Sequence, residues 1–191
     1  MLFGASLHAE VVLDVAVAQG HYEPVAALDP GITPGQLFSA FHIPVLGADN
    51  LLPILVREFP GLQGIIAVGD NRIRKTIAQF VGSLVPGFPW ASLVHPSAVA
   101  GSNVSLGPGT VVMPGAVIQT GCRIGSHCLV NTMASLDHHS QLGDFVHLAP
   151  GVHTGGEVRI GEGVLAGIGA AILPRTHVPE WTVVKARLNE H

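Results

Sequence analysis

Residues 94–183 read VHPSAV AGSNVS LGPGTV VMPGAV IQTGCR IGSHCL VNTMAS LDHHSQ LGDFVH LAPGVH TGGEVR IGEGVL AGIGAA ILPRTH VPEWTV, fifteen sixes with no residue inserted or lost. Their first positions run from Val94, Ala100 and Leu106 to Val178, and fourteen of the fifteen are aliphatic, Thr154 being the exception. Their fifth positions, from Ala98 to Thr182, are all small or β-branched. One branched apolar residue and one small residue per six is the pattern of a hexapeptide β-helix. Three hexads make an 18-residue triangular coil, with the large side chain filling the interior and the small one fitting near the corner. Glycine-rich second to fourth positions supply the bends. The segment thus predicts about five coils, stacked at the ~4.8 Å strand spacing into a prism of roughly 24 Å. Ordinary strands and turns would not hold register over such a length.

The same register disposes of the thiols. Cys122 and Cys128 fall at consecutive fifth positions, so burial on different faces of the prism is their expected role. The start, MLFGASLHAE, lacks the basic and apolar regions of a signal peptide, and two cysteines without one read as free thiols of a reducing cytoplasm.

Outward from the hexads, the first ninety residues follow a different pattern. MLF, GASLHA and EVVLDVAVAQG predict a short strand, a tight turn and an amphipathic helix ending at Gly20. Residues 24–29 and 64–68 read as buried strands, and Asp49 or Asn50 is placed to cap a helix running to Phe59. Asp70 or Asn71 is placed to cap another over 72–81. Strand–helix alternation implies a small parallel sheet, a Rossmann-like α/β lobe. Its strand-end loops at 4–8, 29–30 and 69–71 would gather along one edge, and helix N-termini at two of them make a natural phosphate site. The Pro-rich stretch 85–89 with Trp90 reads as a connector.

Composition excludes several classes. Only 12% of the 191 residues are charged, about half the usual share of roughly 25%. A net charge of -4 and a pI near 6.2 argue against a nucleic-acid binder. No apolar run approaches the ~20 residues of a membrane span, so the mean hydropathy of +0.47 reflects burial. Residues 94–183 hold only eight Asp, Glu, Lys or Arg, and flat faces so poor in charge suit burial between protomers. Histidine, with 11, outnumbers Lys plus Arg, with 9, so histidine chemistry has to be considered.

Several stretches together carry a resemblance: GASLHAEVVLDVA (4–16), the single Asp29, GDNRIR (69–74), HPSA (95–98), VVMPGAVI (111–118) and above all VNTMASLDHHSQLGDFVHLAPGVHTGG (130–156). Over essentially its whole length the chain resembles the two-domain hexapeptide acyltransferases of the NeuD/PglD type. These acetylate sialic acids or the 4-amino group of UDP-linked bacillosamine-type sugars. The resemblance implies a nucleotide-sugar-binding α/β domain over 1–90 and a left-handed β-helix acyltransferase domain over 91–191. The left-handed winding is an exception to the right-handed crossover rule. It further implies a cytoplasmic homotrimer of surface-glycan biosynthesis, with acetyl-CoA in the cleft between neighbouring prisms and the active site at subunit interfaces.

Acyl transfer from a thioester needs a base to remove a proton as attack proceeds. Imidazole, titrating near pH ~6.5 when unperturbed, suits that task. The LDHH turn sets His138 and His139 at third and fourth hexad positions, outward at a corner, where no interior role is open to them. Matching the family motif makes His138 the general base. It puts His147 against the thioester, where an imidazole donor bonds the carbonyl oxygen. No exposed cysteine or activated serine accompanies them, so direct transfer is expected rather than an acyl-enzyme. The family follows its base with an acidic residue; here that position is His139. Asp137, before the base, and Asp144, a hexad further on, are candidate substitutes. The expected catalytic set is therefore His138, Asp137 and His139.

For acetyl-CoA the resemblance implies His147 together with main chain near Gly167, Ile168 and Ala186. For the nucleotide sugar it implies Ser6, Leu7, His8, Asp29, Pro30 and Gly69. Leu7 and Ala9 stand where the family has glycines, and bulk at Leu7 would narrow the approach to a phosphate. The remaining histidines carry duller expectations: a turn role for His95, outward positions on subunit contacts or cleft walls for His127, His153 and His177, and no signal at His21, His42 and His191. Two other functions were open. A γ-carbonic-anhydrase-like metalloenzyme would stack ligands at coil spacing. Eighteen residues from His138 stand Thr120 and Gly156, and from His147 stand Leu129 and Leu165, so no metal is expected. A non-catalytic trimeric homologue that only binds a nucleotide sugar is kept open by His139 and Leu7.

Overall fold

The structure is a computed structural model and describes residues 1–186; His191 lies outside the described residues. The chain forms two compact units, Met1–Ala91 and Ser92–His191. No helix among the described residues is long and apolar enough to cross a membrane.

The first unit is a five-stranded sheet with three helices. In chain order its elements are β1 (Leu2–Phe3), α1 (Leu7–Gln19), β2 (Ala27–Leu28), β3 (Leu37–Phe38), β4 (Ile43–Gly47), α2 (Leu52–Glu58), β5 (Ile65–Ile66) and α3 (Asn71–Leu84). The sheet order is β3–β4–β2–β1–β5, parallel except that β3 runs antiparallel to β4. The expected parallel sheet is thus corrected at one edge by a single antiparallel strand, β3. α1 buries Ala9, Val12, Leu13, Val15 and Ala16 on one side and stops where Gly20 turns left-handed, its N–H bonding the Ala16 carbonyl. It starts at Leu7, so the anticipated tight turn through Ala9 is shorter and Leu7 and His8 are helical. α3 is capped by Asp70, whose Oδ1 accepts from the Arg72 and Ile73 amides at 2.9 Å. Neither Asp49 nor Asn50 caps α2: Asp49–Leu51 form a 3-10 turn leading into it, and no side chain caps either piece. The stretch 85–90 is not a connector but part of this core. Gly64 bridges Trp90, and the Phe88 and Trp90 rings pack on Phe3 with centroids 6.0 and 5.4 Å away.

The second unit is a left-handed parallel β-helix. Two-residue strands recur every six residues and pair in parallel with the strand eighteen residues on. The first face carries Leu93–Val94, Val111–Val112, Leu129–Val130, His147–Leu148, Leu165–Ala166 and Val183–Val184. The second carries Val99–Ala100, Val117–Ile118, Ser135–Leu136, His153–Thr154 and Ala171–Ile172. The third carries Ser105–Leu106, Arg123–Ile124, Gln141–Leu142, Arg159–Ile160 and His177–Val178. First hexad positions are buried from Val112 to Val178 and fifth positions from Thr110 to Ala170. Each such aliphatic side chain contributes about 1.5–3 kcal/mol by leaving water. Val94, Ala100 and Leu106 are less buried because no coil precedes theirs.

The bends are more selective than glycine content suggested. Every fourth hexad position from Asn103 to Trp181 has φ between 54° and 75°, while no second or third position does. Glycine fills only six of these fourteen left-handed sites. His127 occupies one and is corrected from an outward residue to a buried one. It is 6% exposed and stacks on Phe145 one coil on, with ring centroids 5.2 Å apart and planes 7° from parallel. Cys122 and Cys128 are free, buried thiols.

Candidate functional site

At the corner joining the second and third faces, Asp137 to Ser140 turn the chain with both imidazoles of the LDHH turn exposed. The main chain beneath is held from inside. Thr154, the one polar first position, offers Oγ1 to the Asp137 N–H at 3.1 Å, and the Cys122 thiol donates to the Asp137 carbonyl at 3.1 Å. The exception in the aliphatic series thus anchors the residue before the candidate base. Above that anchor the His138 ring lies over Gly156 of the next coil, where an added Cβ would come within 2.5 Å of Cε1 and Nε2. The His139 ring lies the other way, over Gly121. Their Nδ1 atoms face each other at 3.3 Å.

Neither acid singled out in the sequence reaches the candidate base. Asp137 Oδ1 accepts from the His138 main-chain amide at 2.8 Å, a local side-chain-to-backbone bond that turns the carboxylate away from the ring. Asp144 sits on the corner between the third and first faces, and its Oδ1 accepts from the Ser126 amide at 2.7 Å. Beside His139 opens a concavity of about 450 Å³ on the third face, lined by Gln141, Glu157, Arg159, Arg175 and His177. Of these the sequence pointed only to His177, as an outward residue on a subunit contact or cleft wall. The signal was available as coil spacing, since 139–157–175 and 141–159–177 are each eighteen apart.

The residues expected at acetyl-CoA lie elsewhere on the prism. His147 is half-buried on the first face, with Nε2 3.2 Å from Asn131 Nδ2. Asn131 Oδ1 accepts from the Thr132 amide at 2.8 Å, which fixes the carboxamide with its NH2 toward His147. The amide therefore donates to Nε2, and the ring hydrogen of neutral His147 is on Nδ1. Gly167 and Ile168 turn the corner between the first and second faces, with Ile168 71% exposed. A Cβ on Gly167 would lie 3.2 Å from the Val184 carbonyl and 3.6 Å from the Ala186 amide of the next coil. His147, Gly167, Ile168 and Ala186 thus follow the first face and its corner with the second, whereas His138 and His139 occupy the next corner round.

In the first unit the strand-end loops do meet. Asp29 Oδ2 accepts from the Ala5 amide at 2.9 Å and Oδ1 from the Gly31 amide at 2.8 Å, tying the GASLH loop to the Pro30 turn. Ser6 is exposed at the head of α1 and makes no side-chain cap, and Leu7 is 83% exposed. Leu7 is helical, so this position makes no demand for glycine's conformation. His8 packs toward Gly69, with Nε2 enclosed and not hydrogen-bonded. Burial first, and then the Arg74 guanidinium, push its pKa below the usual imidazole value. Arg74 is fully buried and donates to the Val68 and Gly69 carbonyls and to Asn71 Oδ1. Only one of the two anticipated helix N-termini is open to an anion: α3 is already capped by Asp70, while no side chain caps α1. A second concavity, of about 380 Å³, is bordered by Ala5, Glu10, Gln36, Phe38 and Ser39.

Among the described residues no group of three or more His, Cys, Asp or Glu is placed to hold a metal ion.

Known proteins share this architecture. Residues 1–81 match the PglD N-terminal domain and residues 94–132 the bacterial transferase hexapeptide (six repeats). Over 112 residues the chain is 34% identical to UDP-N-acetylbacillosamine N-acetyltransferase of Bacillus subtilis (strain 168), a match over 59% of this chain and 50% of that relative. The chain therefore spans about half the length of that curated relative. A perosamine N-acetyltransferase from Caulobacter crescentus, solved as a histidine-to-asparagine mutant with CoA and GDP-perosamine, is 34% identical, with a TM-score of 0.85 over 95% of this chain and 83% of that one. The acetyltransferase domain of PglB from Neisseria gonorrhoeae FA1090, solved with acetyl coenzyme A, is 33% identical, with a TM-score of 0.77 over 95% and 93% of the two chains.

Proposed function

The chain belongs to the NeuD/PglD-like family of hexapeptide-repeat acyltransferases, and from that premise we propose that it transfers the acetyl group of acetyl-CoA directly to the amino group of a nucleotide-linked sugar. The observation that carries this reading is the exposed His138 imidazole, seated over Gly156 on a corner anchored by Thr154. His138 Nε2 takes a proton from the amine as its nitrogen attacks the thioester carbonyl. An imidazole donor from His147 bonds the carbonyl oxygen as negative charge develops there. The new C–N bond forms, the C–S bond breaks, and the proton held by His138 passes to the departing sulfur. A covalent acyl-enzyme is disfavoured, because burial raises the pKa of the Cys122 thiol and keeps it protonated.

One chain carries the base and the thioester contacts on different corners. A working site therefore takes the second–third corner of one prism and the first face of another, which supports a homotrimer with its sites between subunits. The edge made by Ser6, His8, Asp29, Pro30 and Gly69 is the candidate seat for the nucleotide diphosphate, over the uncapped N-terminus of α1. N-acylation is preferred over O-acylation because the relatives are named N-acetyltransferases.

The test is release of free thiol from acetyl-CoA with UDP-, dTDP-, GDP- and CMP-linked amino sugars. At least one acceptor should turn over, and His138→Ala should abolish turnover while leaving CoA binding intact. Full activity in that variant would refute the base assignment. CoA binding with no turnover on any acceptor would favour a non-catalytic binding homologue, the reading for which the missing acidic partner at His139 speaks.

A further inference from the structure

The second–third corner presents two imidazoles where a base and an acid were expected, and their contact has a chemical consequence. The Nδ1 atoms of His138 and His139 are 3.3 Å apart, with ring planes at 76°. That is slightly long for a hydrogen bond, as catalytic contacts in ligand-free proteins often are. Two ring nitrogens attract only when one carries a hydrogen and the other a lone pair. If His138 is to accept a proton at Nε2, its hydrogen must sit on Nδ1. His139 must then offer the Nδ1 lone pair and carry its own hydrogen on Nε2.

Resting on the function proposed above, we infer that His139 is a positioning residue that holds His138 in its Nδ1–H tautomer, making the base a neutral two-histidine unit. This departs in behaviour from an imidazole–carboxylate pair. A carboxylate keeps accepting down to its own low pKa and attracts the imidazolium formed during the reaction. A neutral imidazole accepts only while unprotonated, and a proton on either ring removes the base. The acid limb of kcat/KM should therefore steepen toward a two-proton dependence. Among the described residues, the charged and titratable groups around the pair are the Asp137 carboxylate on its own turn, and Glu157, Arg159, Arg175 and His177 around the adjoining concavity. The glycines over which the two rings lie, Gly156 for His138 and Gly121 for His139, contribute no charge.

Ring-nitrogen NMR of the histidine-labelled protein reads the tautomers without any turnover. His138 should show its hydrogen on Nδ1 and His139 on Nε2. The kinetic arm uses two substitutions suited to the left-handed site at His139, where φ is 56°. His139→Gly removes the ring without backbone strain. His139→Glu places a carboxylate where Glu157 already shows that glutamate is accommodated, at φ 60° on the same corner. His139→Gly should lower kcat on the order of 10²-fold, the lower end of what general-base help provides, with KM for acetyl-CoA and thermal stability held. His139→Glu should restore the rate and convert the acid limb to one proton. An Nε2–H tautomer at His138, or a His139→Gly variant with unchanged kcat and pH profile, would overturn the inference. Absence of wild-type turnover would instead sink the proposed activity, and the tautomers would still decide the pairing.

Discussion

Gly156→Ala separates the position of the base from the stability of the fold. Gly156 is buried directly under His138, and its φ is not in the left-handed region, so alanine suits its backbone. The added Cβ would meet His138 Cε1 and Nε2 at 2.5 Å, against 3.4 Å or more for ordinary contact. The ring must therefore retreat by about 1 Å, a displacement that costs on the order of 10²-fold when it misplaces a reacting group. That loss corresponds to about 2.7 kcal/mol of transition-state stabilisation. The fold has an easy escape, because the atoms struck belong to an exposed side chain that can swing outward. Removing a glycine also restricts the unfolded chain, which stabilises by about 0.4–1 kcal/mol. The expected result is kcat down about 10²-fold with Tm unchanged or slightly raised, read by thiol release at saturating acetyl-CoA and by thermal unfolding. A folded variant with kcat near wild type would refute the reasoning, since the working imidazole would then not be seated over Gly156. A fall in Tm alongside kcat would also refute it, by showing that the corner rather than the ring had yielded.

Three other perturbations probe the parts that hold the site. Gly107→Ala directs its Cβ at main chain, 2.5 Å from Gly125 C and Ser126 N; it should destabilise by about 1–3 kcal/mol while kcat per folded molecule stays at wild type, and an unaltered Tm would contradict the close approach of adjacent coils. Thr154→Val keeps shape but leaves the Asp137 N–H without its acceptor, so a loss of about 1–3 kcal/mol is expected in denaturant unfolding. His8 has a folded-state pKa below its ordinary 6.5, through burial and then Arg74. The unfolded chain therefore binds the proton first, and stability is full above about pH 6.5 and falls as pH drops toward the folded value. In His8→Gln the difference between unfolding midpoints at pH 7.5 and 5.5 should shrink, and an identical difference would show that His8 does not contribute.

The β-helix was legible because its determinant is local and repeated. A large aliphatic residue at each first position and a small one at each fifth specify the interior, and both series are buried through the middle coils. What escaped was set by neighbours eighteen residues away. His127 occupies an outward corner position, and its burial comes from the Phe145 ring of the next coil, an aromatic pair visible only when hexads are aligned by coils. In the first unit, IPVLG hides a strand because proline sits at Pro44. That residue pairs with Leu37 of β3 in an antiparallel hairpin joined by left-handed Ser39 and His42. At the candidate site the residue types were readable but the direction of short side chains was not. Asp137 lies beside His138 in sequence, yet its carboxylate binds the main chain, and nothing in a one-dimensional pattern distinguishes an amide from an imidazole as its partner.

The three corners of the prism also differ in a way that indicates what each does. Left-handed backbone costs roughly 1–2 kcal/mol for a residue other than glycine, so such residues persist where their side chains return that cost. Between the third and first faces the series Gly109, His127, Phe145, Gly163, Trp181 holds three rings and two glycines. His127 and Phe145 stack, and Trp181 lies over Gly163, so apolar packing offsets the strain. Between the first and second faces the series is Gly115, Met133, Gly151, Gly169, with one bulky residue, which leaves main chain accessible beside Gly167 and Ile168. Between the second and third faces it is Asn103, Gly121, His139, Glu157, Arg175, where four of five left-handed residues are polar and none is buried. Packing does not repay strain at exposed histidine, glutamate and arginine. On this corner the left-handed residues are better explained by what they present outward, and it is the same corner that carries His138.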